Sequence, residues 1–278
     1  EFILNSVNIQ GPLTWSTTFT GTTYESFWVE RNLATPLNPW VRDNDPYTAI
    51  YGWRTDGIIQ NREEIPDYMP NANPGNIRYV DINGDGVLDS QDVVLLGQEA
   101  PTWNLGLANT FKYKNFDLNF FFNAFLGNLR STNSIGRGYD PNNPGGRLSI
   151  PNMQNVPTDV RRVWTADNSE GDLPGIANDR YIGNNPASNS SAGALDNDFP
   201  NHDFTLQKAD FVRLRNVTLG YNLSNGLGKN KFIRSVRIFV DAQNLAVLTN
   251  FEGFDPELNE TNPFPQAVST TVGVNVGF

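Results

Sequence analysis

The sequence predicts an all-β protein that contributes about seven or eight antiparallel strands to a large transmembrane β-barrel. Three observations lead to this fold class. Several stretches of about ten residues alternate apolar and polar side chains, which is the length that a tilted strand needs to cross a bilayer. Aromatic residues make up 12% of the chain and stand at the ends of the clearest stretch. No run approaches the roughly eighteen consecutive apolar residues that a transmembrane helix requires.

The clearest alternation runs through two strands that a tight turn at Lys114 and Asn115 joins. Their apolar side chains recur every second residue: Trp103, Leu105, Leu107, Phe111 and Tyr113, then Phe116, Leu118, Phe120, Phe122, Ala124 and Leu126. Only Asn109 interrupts this face. Aromatic residues at both ends match the girdles at the two membrane interfaces. A hairpin in a soluble sandwich would alternate as well, and is the other interpretation of this segment.

Polar residues that alternate with the apolar ones are predicted to face the lumen of the barrel. An arginine that faces lipid at the midplane costs about 2–4 kcal/mol, so charged side chains in these strands belong on the inner side. The candidates for lumen-facing residues are Asn104, Asn119, Asn123, Arg237, Asp241 and Gln243.

Further strands are predicted over residues 1–7, 13–29, 47–58, 211–223, 232–248 and 266–278. In the first of the three C-terminal strands, Arg213 and Arg215 would break the apolar face unless a bulge or the edge of the membrane lies near Asn216. The last strand ends on an aromatic residue. We expect Gly273, Val276 and Phe278 to form the signal that the outer-membrane insertion machinery recognises.

The lengths of the connections support this topology. With Phe278 in the periplasm, the outer connections would be residues 250–265, 128–207 and 59–101. The inner ones would be residues 224–231, 114–115 and 31–46. Long outer loops and short inner turns are typical of outer-membrane barrels, and only residues 31–46 fit poorly. A connection as long as residues 128–207 is usually functional, and the alternative is a linker between two domains.

An acidic segment, DINGDGVLDSQD, has the spacing of an EF-hand-type calcium loop. The predicted ligands at positions 1, 3, 5, 7, 9 and 12 are Asp81, Asn83, Asp85, the carbonyl of Val87, Asp89 and Asp92. Oxygen ligands at these offsets surround a hard cation, and Gly86 permits the sharp turn. Asp92 stands where glutamate is usual, and we expect its shorter side chain to give either monodentate contact or weaker binding. We expect a structural calcium ion, with magnesium as the other cation and a metal-free Asx-rich turn as the alternative.

Composition excludes several classes of function. The formal charge of −10 and the lack of a basic patch argue against nucleic acid as a partner. The chain has no cysteine and one histidine, His202, with no local motif for a nucleophile, so we do not expect an enzyme. A glycosidase-like pair of carboxylates depends on the fold and stays open. No signal peptide is visible at Glu1, and we expect an N-terminal part to be missing.

The order of the motifs resembles the C-terminal part of the SusC/RagA family of TonB-dependent outer-membrane transporters. They are YGWRTDGII, YVDINGDGVLDSQDVVLLG, PTWNLGLANTFKYKNFDLNFFFNAFLGN, FVRLRNVTLGYNLS and RIFVDAQNLAVLTNFEGFDPE, followed by the Phe-terminated strand. The resemblance covers nearly the whole chain except residues 128–207. It implies that residues 1–278 supply the C-terminal part of a 22-stranded barrel. The plug domain and TonB box would precede this chain.

The same resemblance implies partners and a location. The partners are a SusD-like surface lipoprotein, TonB, the remaining portion of the same barrel, the lipid bilayer and an oligosaccharide or peptide cargo. The location is the outer membrane of a Gram-negative, Bacteroidota-like bacterium. The second hypothesis is a secreted, β-rich adhesion or binding protein with a calcium loop. Dependence on detergent separates the two, because only a barrel must be extracted from membranes.

Overall fold

The computed structural model describes residues 1–29, 40–131, 161–174, 202–223, 232–253, 255–258 and 266–278. These residues include short 3-10 turns at Arg62–Glu64, Ser90–Asp92 and Asp203–Thr205. The strands are β1 (Phe2–Ile9), β2 (Leu13–Thr23), β3 (Ala49–Gly52), β4 (Thr55–Ile58), β5 (Ile77–Tyr79), β6 (Val94–Gln98), β7 (Trp103–Tyr113), β8 (Phe116–Leu126), β9 (Leu129–Ser131), β10 (Leu206–Lys208), β11 (Phe211–Asn222), β12 (Ser235–Thr249) and β13 (Ser269–Gly277). Within the described ranges, no helix is long and apolar enough to span a membrane.

Seven strands form one antiparallel sheet in the order β1-β2-β7-β8-β11-β12-β13. The predicted all-β class and partial barrel are confirmed, with seven strands in the sheet. In the described part of the chain, β1 pairs with β2 alone and β13 with β12 alone. An unpaired backbone amide costs several kcal/mol in lipid, so such edges require neighbouring strands. That the rest of the same barrel supplies these neighbours stays a prediction.

The register of the strands gives this sheet two unlike faces. One row of directly opposed residues on the apolar face is Leu4, Phe19, Leu107, Phe122, Leu214 and Ala246. One row on the opposite, polar face is Ser16, Thr110, Asn119, Thr218, Asp241 and Thr271. On the apolar face, Leu219 is 48% exposed and Val272 70% exposed. Large aliphatic side chains left uncovered in this way are typical of a surface that meets lipid.

Most predicted strands are present with small shifts at their ends, but the prediction of one strand over residues 47–58 is wrong, and the structure of this segment differs from it. It consists of two four-residue strands, β3 and β4, which pair with β6 and β5 outside the seven-stranded sheet. Strands of four residues are too short to cross a bilayer. Trp53, which lies between them, is 6% exposed in a local hydrophobic core. Because the Trp53 side chain is buried in that core, the segment does not alternate between lipid-facing and inward-facing side chains as a barrel strand would.

This correction changes the topology before the hairpin. The strand predicted over residues 13–29 ends at Thr23, and β2 pairs directly with β7 from Thr23 opposite Trp103 to Leu13 opposite Tyr113. Residues 31–46 are therefore part of one long connection from β2 to β7 and not an inner turn. Of that stretch, residues 31–39 lie outside the described residues. The inner turn before the hairpin is instead the short turn at residues 10–12, which joins β1 to β2.

All long connections leave the sheet at one end, and short turns lie at the other. The end of β2 is opposite the start of β7, and Phe125 near the end of β8 is opposite Phe211 at the start of β11. At the far end, Lys114 adopts a left-handed φ of 53° in the two-residue turn between β7 and β8. Such a conformation is required in the tight turns of two-residue hairpins. The predicted separation of long loops from short turns therefore holds without the earlier exception.

A bulge interrupts β11 next to Asn216 and is the first of the two predicted explanations for the arginines of this strand. The pairing of β11 with β8 and with β12 shifts between Leu214 and Asn216 in both ladders. Against β8, Arg215 is the extra residue of β11, whereas against β11 the extra residue lies in β12, where Asn244 has a positive φ of 54°. The bulge restores the apolar face beyond the two arginines, because Val217 and Leu219 then fall on the same face as Leu214.

The chain divides into two compact units. The first comprises Glu1–Glu25, Ala100–Asn128 and Lys208–Phe278, and contains the seven-stranded sheet. The second comprises Ser26–Glu99 and Leu129–Gln207. It is built around its own hydrophobic core of buried residues, Trp53, Ile58, Ile59, Met69, Ala72, Ile77, Tyr79, Leu88 and Val93. The segment 161–174 joins this core through Trp164, whose Nε1 donates to the carbonyl of Gln60 at 3.2 Å.

Candidate functional site: the polar face and the acidic loop

The first half of the acidic loop is closed by hydrogen bonds from backbone amides to side-chain oxygens. Asp81 accepts from Gly84 at 2.7 Å through Oδ1 and from Gly86 at 2.8 Å through Oδ2. Both glycines have left-handed φ angles, 73° and 81°, which other residues adopt with strain. Asn83 accepts from the amide of Asp85 at 2.9 Å. The loop thus takes the sharp turn that its glycines predict.

The second half of the loop is anchored by Asp92, which is wholly buried. Its carboxylate accepts from the backbone amides of Ile82 at 2.8 Å and Asp89 at 2.9 Å. Asp89 accepts in turn from the amide of Gln91 at 2.7 Å, so these two aspartates form a capping box around one 3-10 turn. Leu88, which directly precedes Asp89, is 2% exposed in the core of the second unit. The loop is therefore part of that core.

The predicted metal ligands share one loop but are turned toward its own amides. Among the residues that the structure describes, no three His, Cys, Asp or Glu side chains are grouped so that they could hold one metal ion. The donor set nevertheless fits a hard cation, because it consists of oxygen atoms. A carboxylate has about four acceptor positions, and the bonded amides fill only some of them. The calcium site formed by Asp81, Asn83, Asp85, Val87, Asp89 and Asp92 stays a prediction.

The six residues predicted to line the lumen all lie on the polar face of the sheet. Asn104, Asn119 and Asn123 are on β7 and β8, and Arg237, Asp241 and Gln243 are on β12. Asn119 accepts a hydrogen bond from Thr110 at 2.8 Å. Asn123 is 8% exposed, and its Oδ1 has no hydrogen-bond partner among the described residues. Their common face follows from the register, and its contact with the lumen stays a prediction.

An ion pair crosses the polar face near the short turns. Arg237 of β12 donates to Asp117 of β8 at 2.5 and 3.1 Å, passing over the intervening strand β11. Gly220 makes room for this pair, since a Cβ there would lie 2.5 Å from the guanidinium. Asn222 donates to the same carboxylate at 3.2 Å. Lys112 lies directly opposite Asp117 on β7, so the local charges compensate one another.

A second and more buried group of charges lies at the other end of the polar face. Arg213 donates to Asp255 at 2.6 Å, and both side chains are no more than 4% exposed. The Nε of Arg213 is also 3.2 Å from Glu257, without hydrogen-bond geometry. Glu257 accepts from Arg215, which also donates to Asn244 at 3.2 Å. These contacts hold the connection between β12 and β13 against β11.

Sequence reasoning missed the aromatic residues on the polar face and the charges that reach it from the connection. Phe121, Phe125, Phe211 and Phe239 belong to this face by register. The rings of Phe125 and Phe211 contact edge to face with centroids 5.2 Å apart. The step of two residues from Asn119 and Asn123 predicts the position of Phe121. No local signal connects Arg213 with Asp255, which is 42 residues away.

The polar residue that interrupts the apolar face is satisfied within it. Asn109 is 7% exposed and accepts from the indole of Trp15 at 2.9 Å and from Thr17 at 2.7 Å. Thr17 accepts in turn from Asn8 of β1 at 2.7 Å. Because its oxygen is paired, Asn109 costs less on a lipid-facing surface than an isolated amide.

The three residues predicted to form the insertion signal lie at the edge of the sheet. Val276 faces Val236 across β12 and β13, and the ring of Phe239 covers Gly273. Phe278 follows the end of β13 and is 78% exposed. Their role in insertion stays a prediction.

His202 belongs to the second unit and not to the polar face. It pairs by a parallel bridge with Trp53, and its ring contacts those of Tyr79 and Phe204. Next to it, Asp203 accepts from the amide of Thr55 at 2.8 Å and from its hydroxyl at 2.5 Å. Burial lowers the pKa of His202 below its ordinary value of 6.5, against a smaller opposite effect of Asp203. The imidazole is therefore neutral at pH 7.

Comparison with known proteins places these features in a known class. No family model matches the sequence. TonB-dependent receptor P3 of Formosa agariphila is 26% identical over all of this chain and 26% of its own length. TonB-dependent receptor SusC of Bacteroides thetaiotaomicron is 29% identical over 76% of this chain and 18% of its own length.

Solved structures show the same fold. The RagAB peptide transporter superimposes with a TM-score of 0.71 at 18% identity, over 99% of this chain and 28% of the other. The RagAB peptide importer in its open-open state gives a TM-score of 0.67 at 17% identity, over the same shares. Both likenesses concern the fold of the barrel.

The fold and the relatives together show that the chain is part of an outer-membrane β-barrel and is similar to TonB-dependent receptors. The resemblance to the SusC/RagA family of TonB-dependent transporters, predicted from the sequence, is confirmed. The predicted outer-membrane location is confirmed by the same relatives, which are named as TonB-dependent receptors. The chain spans 26% of the length of the first relative and 18% of that of SusC.

The buried ion pair leads to a prediction about stability. We expect Asp255→Asn to destabilise the receptor by about 3 kcal/mol, because Arg213 would lose its closest anionic partner while buried. The measurement is the temperature above which the purified full-length receptor no longer migrates as a folded species on a denaturing gel. The matched control is Asp172→Asn, whose partner Arg162 is 44% exposed. An exposed pair contributes less than about 1 kcal/mol, so equal effects of the two changes would contradict the prediction.

The position of His202 leads to a prediction about pH. Because its pKa is lowered by folding, the stability it contributes is present above the unfolded pKa near 6.5 and is lost as the pH falls below it. We expect the Thr55 amide to exchange faster at pH 5 than at pH 7.5 after correction for intrinsic rates. Hydrogen exchange of the purified receptor measures this. In His202→Phe the dependence on pH should disappear, and its persistence would show that another group titrates.

Proposed function

We propose that this chain forms part of the barrel wall of a transporter that imports a nutrient across the outer membrane with energy delivered through TonB. The observation that carries the proposal is the division of the sheet into an exposed apolar face and a polar face. The polar face combines amides, hydroxyls, paired charges and aromatic rings. Such a wall offers hydrogen bonds and stacking surfaces to a polar cargo while the other face meets lipid.

The partners follow from the same proposal. SusC and the RagAB transporter are the relatives that suggest a complex with a SusD-like lipoprotein, and the name of RagAB identifies peptide as its cargo. For this chain the cargo is an oligosaccharide or a peptide. TonB would act through the part of the receptor outside this chain. We expect no enzymatic activity and no binding of nucleic acid.

The secreted adhesion protein is the competing function. It would place both faces of the sheet in water. The exposure of Leu219, Val272 and Val274 at 48%, 70% and 58% favours lipid instead. Recovery of the receptor from washed membranes only with detergent is the expected outcome.

Uptake tests the proposed function. Cells that carry the full-length receptor are grown on a panel of peptides and oligosaccharides as limiting nutrients. We expect growth on one class to require both the receptor and TonB, since the proposed import takes its energy from TonB. Growth that survives the removal of TonB would contradict active transport. A receptor with Leu219→Val on the apolar face is the control and should grow like the wild type.

The connection of residues 128–207 is proposed as the main contact with the lipoprotein, although most of it lies outside the described residues. Residues 161–174 must be kept in any test, because Trp164 packs in the core of the second unit. We therefore propose removal of residues 177–199 alone. Loss of co-purification with the lipoprotein, while the barrel still inserts, is the expected result. Unchanged co-purification would refute the contact.

We also propose that the acidic loop binds one structural calcium ion. Its support is the oxygen donor set and the position of the loop in the core of the second unit, which a cation would brace. At the calcium levels outside cells, an affinity of about 0.1–1 mM is enough for occupancy. Magnesium, which prefers strict octahedral geometry, is expected to bind less well.

Calcium binding can be measured directly. Equilibrium dialysis of the purified receptor should show one bound calcium ion, and calcium should protect the second unit from protease. We expect Asp81→Asn to weaken binding about tenfold or more, because it removes a charged ligand at position 1. The control is Asp56→Asn, an aspartate of the same unit paired with Arg78. Absence of binding at millimolar calcium would refute the site.

A further inference from the structure

The charges on the polar face of the described sheet are almost all paired. Asp117 is compensated by Arg237 near the short turns. At the other end of the face, Arg213 and Arg215 are compensated by Asp255 and Glu257. Between these two groups lies Asp241, in the middle of β12. Among the described residues, no Lys or Arg lies within ion-pair distance of its carboxylate.

Neutral donors hold the carboxylate of Asp241 in place. Its Oδ2 accepts from Asn216 at 2.5 Å and from Thr218 at 2.7 Å. Its Oδ1 accepts one longer bond, 3.2 Å, from Gln243. Asn216 is itself placed by the bulge in β11. Because Oδ2 has two close donors and Oδ1 only one weak one, acceptor capacity remains on Oδ1 of this half-buried residue.

Asp241 is also the only charge in a row of hydrogen-bonding side chains. The residues opposed to one another across six strands are Ser16, Thr110, Asn119, Thr218, Asp241 and Thr271. With strands about 4.8 Å apart, this row extends over roughly 24 Å of the wall. Hydroxyls and amides along it suit a neutral polar chain, and the carboxylate suits a cation at one end.

We propose that Asp241 is a subsite for a positively charged group of the cargo, an ammonium or a guanidinium. This inference rests on the proposed transport function and adds a substrate class to it. A fixed carboxylate without a cationic neighbour attracts such a group, and charge-assisted hydrogen bonds are about twice as strong as neutral ones. Neutral donors orient the carboxylate without cancelling its charge, which leaves that charge available to the cargo.

Two other roles for Asp241 give different results in a test. As a purely structural acceptor, it would only hold Asn216 and Thr218 at the bulge. As a partner of a basic residue elsewhere in the receptor, it would affect every cargo equally. A subsite for a cation predicts instead that the loss of the carboxylate charge weakens binding only of cargo that carries a positive group.

The experiment uses the purified full-length receptor and two pairs of probes. Within each pair, one probe carries positively charged amino groups and the other carries the same groups acetylated. One pair is a lysine-containing oligoalanine peptide and its Nε-acetyl-lysine form. The other is a glucosamine oligomer and its N-acetylated form. Equilibrium binding of each probe is measured for the wild type, Asp241→Asn and the control Thr271→Val, which changes the neutral residue opposite Asp241.

In the wild type, we expect the charged member of at least one pair to bind about tenfold more tightly than its acetylated form. Asp241→Asn should remove this difference, and Thr271→Val should retain it. Any of three results would overturn the proposal. Asp241→Asn could weaken the binding of both members of a pair equally, the difference in affinity could persist in Asp241→Asn, or the wild type could show no difference in affinity. TonB-dependent growth would still stand in each of these cases, so a failure of the subsite is distinct from a failure of the transport function.

Discussion

The hydrogen-bond register of the seven-stranded sheet is the constraint on which the rest of the structure depends. Side chains alternate between faces along a strand, so a shift by one residue would move every apolar side chain to the polar face. The pairing of β7 with β8, from Trp103 opposite Leu126 to Tyr113 opposite Phe116, keeps the apolar faces of both strands together. In β11, Arg213 and Arg215 would interrupt the apolar face, and the bulge brings the following apolar residues back to that face.

The same register decides how charges are accommodated on the polar face. Arg237 reaches Asp117 across an entire strand because Gly220 has no side chain. Arg213 is paired by Asp255 from a connection, because the neighbouring strands offer it no carboxylate. Paired charges at both ends of the face contrast with Asp241 in its middle, which is held by neutral donors alone in the described part of the chain. The polar face is therefore uneven in charge, and the proposed subsite at Asp241 depends on this unevenness.

The second unit shows how a connection between two strands can acquire a core of its own. Its aromatic and aliphatic residues bury one another, and the acidic loop enters the same core through Leu88, Asp92 and Val93. Asp92 is stabilised by backbone amides and not by a cationic side chain. Changes in this loop will therefore alter the whole unit as well as any bound cation.

The sequence by itself determined the all-β class, the two faces of the sheet and the hairpin at Lys114 and Asn115, and it predicted a bulge near Asn216 as one of two explanations for the arginines of β11. These features are local, because the period of two and the turn residues are visible within a few neighbouring positions. The same information placed all six polar candidates on one face and the six loop residues in one turn.

Only the tertiary structure decided that residues 47–58 leave the sheet, and that Asp255 pairs with Arg213. Trp53 looks like a strand residue in the sequence, but its burial depends on Met69, Tyr79 and other residues that come later in the chain. Asp255 lies in the connection that follows β12, and it meets Arg213 because β11 and β12 are paired side by side. Such contacts join residues that are distant in sequence, and their energy depends on burial that no local pattern encodes.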